Sequence, residues 1–220
     1  MLDILLTGSK FIYLLSQTIV VGLFLALIFF AKNKDGYIQE RYLGIGRRLS
    51  LFAWIWFSFT IVFIIATLAS ILEISFADAI DLTMLRSFAT QISLGKFLSI
   101  QAMGALVVAI AVPRLRRVSY TSIFFLIALA AISGPVFQSH TASSGSHLIA
   151  IGTLIVHVVA LSLWVGGLSA ILICKELDRA ESLMRFSQLA QWSVVIVISS
   201  GVINAWIRMN FRDAWSGSYA

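Results

Sequence analysis

The sequence predicts an all-α fold, a polytopic transmembrane helix bundle of about six spans with both termini outside. The chain of 220 residues is 60% hydrophobic and only 12% charged, whereas soluble domains carry about 25% charge. Its long apolar runs and two prolines favour helices, because the strands of a membrane barrel alternate over about ten residues. The composition therefore excludes a soluble domain, and the net charge of +6 is explained by basic loops rather than by nucleic-acid binding.

A helix needs about 20 apolar residues to cross a bilayer. We expect a single domain over residues 1–220, with spans at 11–31, 50–72, 96–113, 119–138, 148–173 and 190–208. The first is expected to be a retained helix, because no basic segment with a small-residue cleavage site marks a signal peptide. Between the second and third spans, spaced apolar residues in 73–95 predict a short amphipathic helix on the outer surface.

The lysines and arginines predict the orientation of the bundle. Eleven of the 16 lie in or beside the loops after the first, third and fifth spans: Lys32, Lys34, Arg41, Arg47, Arg48, Arg114, Arg116, Arg117, Lys175, Arg179 and Arg185. Basic loops face the cytoplasm. Both termini and the loop before the fifth span are therefore expected at the outer face.

Polar side chains within the spans are expected at a common depth. A rise of about 1.5 Å per residue places Gln17, Gln101, His157 and Asn204 about 6–14 Å below the outer ends of their helices. Burying such groups in hydrocarbon is costly unless they are paired. They are therefore expected to pair or to line a wet cavity, with structural hydrogen bonds between helices as the alternative.

The fifth span has two different faces. Ser162, Gly166 and Ala170 form a row of small residues that favours close helix packing, and Gly166 and Gly167 are expected to serve packing. The opposite face carries His157 and, seven residues further, Trp164.

The histidines are the candidate metal ligands. An ionisable residue inside a span is a functional candidate, and this applies to His157. His140 and His147 belong to the outer loop, and a straight helix would separate His147 from His157 by about 15 Å. Two sites are therefore expected, one at the mouth and one at His157, with Met103 as the thioether at nearest depth. Imidazole with thioether favours Cu(I), whereas zinc needs more nitrogen or thiolate ligands.

Four segments together resemble a known family. They are the histidine loop SHTASSGSH, the segment from His157 to Leu168 with its WVGG sequence, RFSQLA at 185–190 and SGVINA at 200–205. Over about residues 134–220 the chain resembles the copper resistance protein D (CopD) family of bacterial membrane proteins. The N-terminal four helices resemble its less distinctive region, especially in actinobacterial members where such a domain precedes a CtaG-like cytochrome oxidase assembly domain. Ser139 stands where the family often has glycine. The chain also stops at Tyr219-Ala220, where the family usually continues, so the domain is expected to be incomplete at its C-terminus.

The resemblance implies a multi-pass protein of the bacterial cytoplasmic (inner) membrane that moves or receives copper ions at the outer face. Uptake, resistance and copper supply to cytochrome oxidase all fit. The implied partners are copper ions, the lipid bilayer and either a periplasmic or extracytoplasmic copper chaperone or an oxidase assembly domain. A haem-binding electron-transfer subunit, which needs facing histidines, and a non-catalytic oxidase assembly partner remain alternatives. An enzyme is not expected, because the bundle offers neither a nucleophile with its base nor a carboxylate pair.

Overall fold

The computed structural model describes residues 2–140 and 147–208, with the side chains of 138–140, 147–148 and 207–208 left out. The described chain is helical. Its α-helices are α1 (Leu2–Leu25), α2 (Leu43–Leu72), α3 (Leu82–Gln91), α4 (Ser93–Ala111), α5 (Val118–Ser133), α6 (His147–Ile173) and α7 (Arg179–Arg208). A π-helical turn, Ala26–Phe30, extends α1, and 3₁₀ turns cover Glu40–Tyr42, Val112–Arg114 and Gly134–His140.

Six of these helical segments are long and apolar enough to cross a membrane, which confirms the predicted all-α membrane bundle. They are Leu2–Phe30, Glu40–Leu72, Ser93–Arg114, Val118–Phe137, Ile149–Ile173 and Arg179–Trp206. The first and last begin well before residues 11 and 190, where the apolar runs begin. A helix satisfies its own backbone hydrogen bonds and can continue beyond its apolar section. Arg179 and Arg185 therefore lie in α7 rather than in a loop.

The short helix predicted between the second and third spans is α3. Its N-terminus is capped by Asp81, whose carboxylate accepts a hydrogen bond from the backbone N–H of Met84 at 2.8 Å. One face buries Phe88 in a small cluster with Leu68 and Leu98, and Leu82 remains exposed. The apolar face of α3 therefore packs against the ends of α2 and α4.

The bundle is built around α1. This helix packs against α2, α5 and α6, while α2 also packs against α4 and α6 packs against α7. The main hydrophobic core accordingly includes fully buried residues of both halves of the chain, such as Leu23, Trp56 and Ala170. The described part of α7 contacts little besides α6 and the π-helical turn of α1, so it is the peripheral helix.

The three basic loops meet at one end of the bundle, here called the basic end. Asp35 and Gly36 have positive φ angles of 52° and 76°, as a two-residue hairpin turn requires. This turn is fixed to the next basic loop by a hydrogen bond from the N–H of Ile38 to the carbonyl of Arg116 at 2.8 Å. The third loop joins through Glu176, which accepts two hydrogen bonds of 2.8 Å from Arg48 on α2.

The closest helix contact is between α1 and α6, at Gly22 and Gly166. A Cβ atom at Gly22 would overlap the Gly166 carbonyl, and one at Gly166 would overlap the carbonyl oxygen of Thr18. Ser162 and Ala170, one turn to either side of Gly166, are also buried. The row of small residues on α6 therefore lies against α1, and α6 turns another face to α7.

Candidate metal site

His157 on α6 is held by α7. Its Nδ1 atom lies 3.2 Å from the carbonyl oxygen of Val197 and 3.0 Å from Oγ of Ser200. Gly201 on α7 faces the ring, since a Cβ there would lie 3.8 Å from His157 Cε1, which is an ordinary contact distance. The imidazole is thus placed at the α6–α7 contact, on a different face from the α1 crossing.

Two further polar side chains extend this contact. Oγ1 of Thr153, one turn before His157, lies 3.0 Å from Oδ1 of Asn204. The amide nitrogen of Asn204 donates to the backbone carbonyl of Ser200 at 2.9 Å. Thr153, His157, Ser200 and Asn204 therefore form one polar ladder between the two helices, here called the α6–α7 ladder.

The two contacts of Nδ1 favour one tautomer of His157. A backbone carbonyl only accepts hydrogen bonds, so a proton on Nδ1 is required for the contact with Val197. Ser200 already donates its hydroxyl hydrogen to the carbonyl of Ile196 at 2.6 Å and can accept from the same Nδ1–H. The neutral ring then carries its lone pair on Nε2. Histidines that bind metals through one nitrogen usually donate the other N–H in this way.

The two loop histidines have helical backbone positions. His140 ends the 3₁₀ turn Gly134–His140 and His147 begins α6, but their side chains and residues 141–146 lie outside the described residues. Because α6 is continuous from His147 to His157, ten residues separate their Cα atoms by about 15 Å. One ion cannot join His147 to His157, as the spacing predicts.

The structure does not bring Met103 to His157. Met103 is 57% exposed on α4, which packs against α2, α3, α5 and the 3₁₀ turns Gly134–His140 and Val112–Arg114, but, among the described residues, not against α6 or α7 to any extent. Its side chain points away from the face of α4 that carries the buried Gln101. In addition, the described residues contain no group of three or more His, Cys, Asp or Glu side chains placed to hold a metal ion.

Gln17 and Gln101 form a second, separate polar group. The amide nitrogen of Gln101 donates to Oε1 of Gln17 at 2.7 Å, and both side chains are almost completely buried. Oε1 of Gln101 has no hydrogen-bond partner among the described atoms, and neither has the buried Nε1 of Trp56 on α2. The expected pairing of amides is therefore present, but the four residues expected at one depth divide into two groups.

The remaining residues singled out in the sequence pack against α1 or the core. Gly167 faces the ring of Phe186, 2.9 Å from the position of an added Cβ. Trp164 is partly buried against the main hydrophobic core. The region after α6 contains Cys174, which is buried beside Arg48 and Glu176, and burial raises the pKa of its thiol to about 11. A protonated thiol is a poor metal ligand.

The sequence interpretation missed Thr153, Ser200 and Trp56. The first two carried a readable signal, because Thr153 precedes His157 by four residues and Ser200 precedes Asn204 by four. Residues four apart lie on one helix face, so each pair marks one side of the ladder. Trp56 carried no such signal, since an indole within an apolar span is ordinarily part of the core.

Comparison with known families agrees with the resemblance noted in the sequence. The family model of the copper resistance protein D-like N-terminal domain matches residues 1–150. His140 and His147 lie within the matched range, whereas His157 and the partners of its ring on α7 lie beyond it. The segment that carries the resemblance, about 134–220, overlaps the match only at 134–150.

No curated protein and no solved structure matches the chain. The family match nevertheless covers more than half of the 220 residues, and the six apolar helices give a multi-pass membrane protein with a copper-related domain. The chain belongs to the copper resistance protein D-like family.

Proposed function

We propose that this protein binds Cu(I) through its histidines at the end of the bundle opposite the basic end and passes copper inward across the bacterial cytoplasmic membrane. His140 and His147 receive the ion at the mouth, and His157 holds it deeper in the bundle. The role is binding and transfer rather than catalysis. The donor is a copper chaperone or an oxidase assembly domain at the outer face.

The observation that carries the proposal is the position of His157 Nδ1 against Val197 and Ser200. In the tautomer that these contacts favour, Nε2 presents a lone pair on a partly buried ring. No side-chain contact among the described residues uses Nε2. A ring nitrogen that no described side chain uses is available to a metal ion, and an ionisable residue within a span is a functional candidate.

Copper fits this arrangement better than zinc. A structural zinc site takes four ligands and a catalytic site three protein ligands, and neither set is present among the described side chains. Cu(I) is a soft ion that accepts imidazole and thioether ligands. With Met103 directed away from the bundle, His157 is the one ligand that the described side chains offer to the deep site.

Copper accumulation in cells tests the proposal. Cells that express the protein are compared with cells that express His157→Ala and Gly152→Ala, at equal membrane levels of protein. Gly152 is on α6 with no atom within 4 Å of an added Cβ, so this variant controls for a change in the same helix. We expect accumulation to fall to the level of non-expressing cells in His157→Ala and to be unchanged in Gly152→Ala. Equal accumulation in all three would refute the proposal.

The haem alternative predicts a different result. A haem held by His157 gives a Soret absorption band in the purified protein after haem supply, and His157→Ala removes it. The α6–α7 ladder places one histidine at the site, whereas bis-histidine haem needs two on facing helices. We therefore expect no Soret band in the wild type. A Soret band that is present in the wild type and lost in His157→Ala would refute copper transfer and support electron transfer.

A further inference from the structure

A groove at the basic end is not used by the proposed copper route. It has a volume of about 640 Å³ and lies between the π-helical turn of α1 and the first turns of α7. Its lining residues are Phe29, Phe30, Arg185, Gln188, Leu189, Gln191 and Trp192. This interfacial groove belongs to the RFSQLA segment of the sequence, which the histidine site leaves unexplained.

Two cations, Lys32 and Arg185, lie at the mouth of the groove beside Glu181, and Asp178 also acts on Lys32. Arg185 donates to Glu181 at 2.7 Å, and the other oxygen of the same carboxylate pairs with Lys32 at 2.5 Å. Two cations thus share one carboxylate. Both remain about half exposed, with 45% of the Arg185 side chain and 51% of the Lys32 side chain accessible.

Arg185 still has donors to offer. One of its guanidinium nitrogens donates to the carbonyl of Phe29 at 2.7 Å, which is a helix-end carbonyl without a helical partner. The contacts with Phe29 and Glu181 use two of the five N–H groups of the guanidinium. The guanidinium group of Arg185 is therefore held in place at the groove, and its remaining N–H groups are available to an anion.

The lining changes character along α7. In chain order it has the cation Arg185, the amide of Gln188, Leu189, the amide of Gln191 and the 71% exposed Trp192, so the cation is at one end and the tryptophan at the other. Arg185 and Trp192 are separated by about 10 Å along the helix. The polar layer of one leaflet is about 5–7 Å thick, and tryptophan side chains concentrate at its boundary with the hydrocarbon. The groove therefore extends from the phosphate level into the acyl region.

From these observations we propose that the interfacial groove binds one anionic phospholipid. The lipid phosphate accepts hydrogen bonds from Arg185 and the amide of Gln188. The amide of Gln191, about 9 Å from Arg185 along α7, donates to an ester carbonyl of the same lipid, and an acyl chain lies along Leu189, Trp192 and Phe29. The basic end is the one that the lysine and arginine distribution assigns to the cytoplasm, where anionic lipids attract basic segments. The bilayer supplies this occupant.

Native mass spectrometry of the full chain tests the proposal. The delipidated protein is mixed with equal amounts of phosphatidylglycerol and phosphatidylcholine, and the lipid retained after gentle activation is counted. We expect one phosphatidylglycerol per wild-type chain and at least a threefold smaller retained fraction in Arg185→Gln. Arg179→Gln, which removes the same charge from the same helix outside the groove, is expected to match the wild type.

A second variant separates lipid binding from folding. Gln188→Leu/Gln191→Leu leaves the contacts of Arg185 with Glu181 and Phe29 in place and removes only the amide donors, so it too should lose phosphatidylglycerol at least threefold. Equal retention of both lipids by the wild type, or equal losses in Arg185→Gln and Arg179→Gln, would refute a specific site. Displacement of the lipid by soluble glycerol phosphate at a similar concentration would also refute it, because the occupant would then be free phosphate.

Discussion

Replacing Gly166 by alanine tests the contact that joins α1 to α6. A Cβ at this position would lie 2.9 Å from the backbone nitrogen of Gly22 and 3.2 Å from its Cα, and it would overlap the carbonyl oxygen of Thr18. Carbon atoms pack best at about 3.5–4.0 Å. The added methyl group faces backbone rather than a flexible side chain, so the two helices must separate.

The expected cost follows from two opposing terms. Overpacking of a tight contact costs about 1–3 kcal/mol, and the better helix propensity of alanine returns about 0.5–1 kcal/mol. We therefore expect Gly166→Ala to lower the free energy of unfolding by up to about 2.5 kcal/mol. The loss should appear in reversible SDS-titrated unfolding in mixed micelles, followed by circular dichroism.

Gly152→Ala is the matched control for this measurement. It makes the same change in the same helix, but nothing lies within 4 Å of the added Cβ. Only the propensity term remains, so the variant should unfold at equal or slightly higher SDS content. If Gly166→Ala proves as stable as Gly152→Ala, the close α1–α6 crossing described above is wrong.

Three further predictions concern contacts away from the histidines. Arg48 lowers the pKa of Glu176 from its ordinary value of 4.5, so their ion pair should stabilise the fold by about 0.5–1 kcal/mol above that pH. This stabilisation should be lost as the pH falls through the lowered pKa. Arg48→Met should remove this pH dependence of the melting temperature, and an unchanged acid profile would count against the pair. Because burial raises the pKa of Cys174 to about 11, roughly one thiol in a thousand is ionised at pH 8. Labelling of Cys174 by maleimide should therefore be slow in the folded protein and complete in SDS, and fast labelling in both would show that the thiol is exposed. Gln101→Leu removes the donor to the Gln17 amide oxygen and should lower the free energy of unfolding by about 1–3 kcal/mol. The Gln17→Leu/Gln101→Leu variant should lose less than the sum of the two single variants, and strict additivity in the same unfolding assay would refute the amide pair.

Hydropathy predicted a bundle of six spanning helices because bilayer thickness sets the length of an apolar run. It could not predict where the helices begin, since polar residues beyond the bilayer remain helical, as Arg179 and Arg185 do in α7. The π-helical turn at Ala26–Phe30 had no signal at all. Its end is held by tertiary contacts, among them the hydrogen bond from Arg185 to Phe29.

The sequence predicted how far along its helix each polar side chain lies, but not which neighbouring helix it faces. Counting residues from the helix ends predicted similar depths for Gln17 and Gln101, because rise along a helix is constant, and the structure pairs these two amides. The same counting placed Met103 near the depth of His157, but it could not tell which helices are neighbours. Because α6 packs against α1 and α7, the ring of His157 meets Ser200 on α7. Met103 is on α4, away from this contact, and its side chain is exposed.

Anaerobic Cu(I) titration of the purified protein tests the central claim most directly. The wild type is compared with the His140→Ala/His147→Ala/His157→Ala variant, with a competing Cu(I) chelator as the readout and an absorbance scan of each sample. We expect tight Cu(I) binding in the wild type and its loss in the triple variant, with no haem band in either. Binding that is unchanged in the triple variant would contradict the assignment of these histidines as the copper ligands.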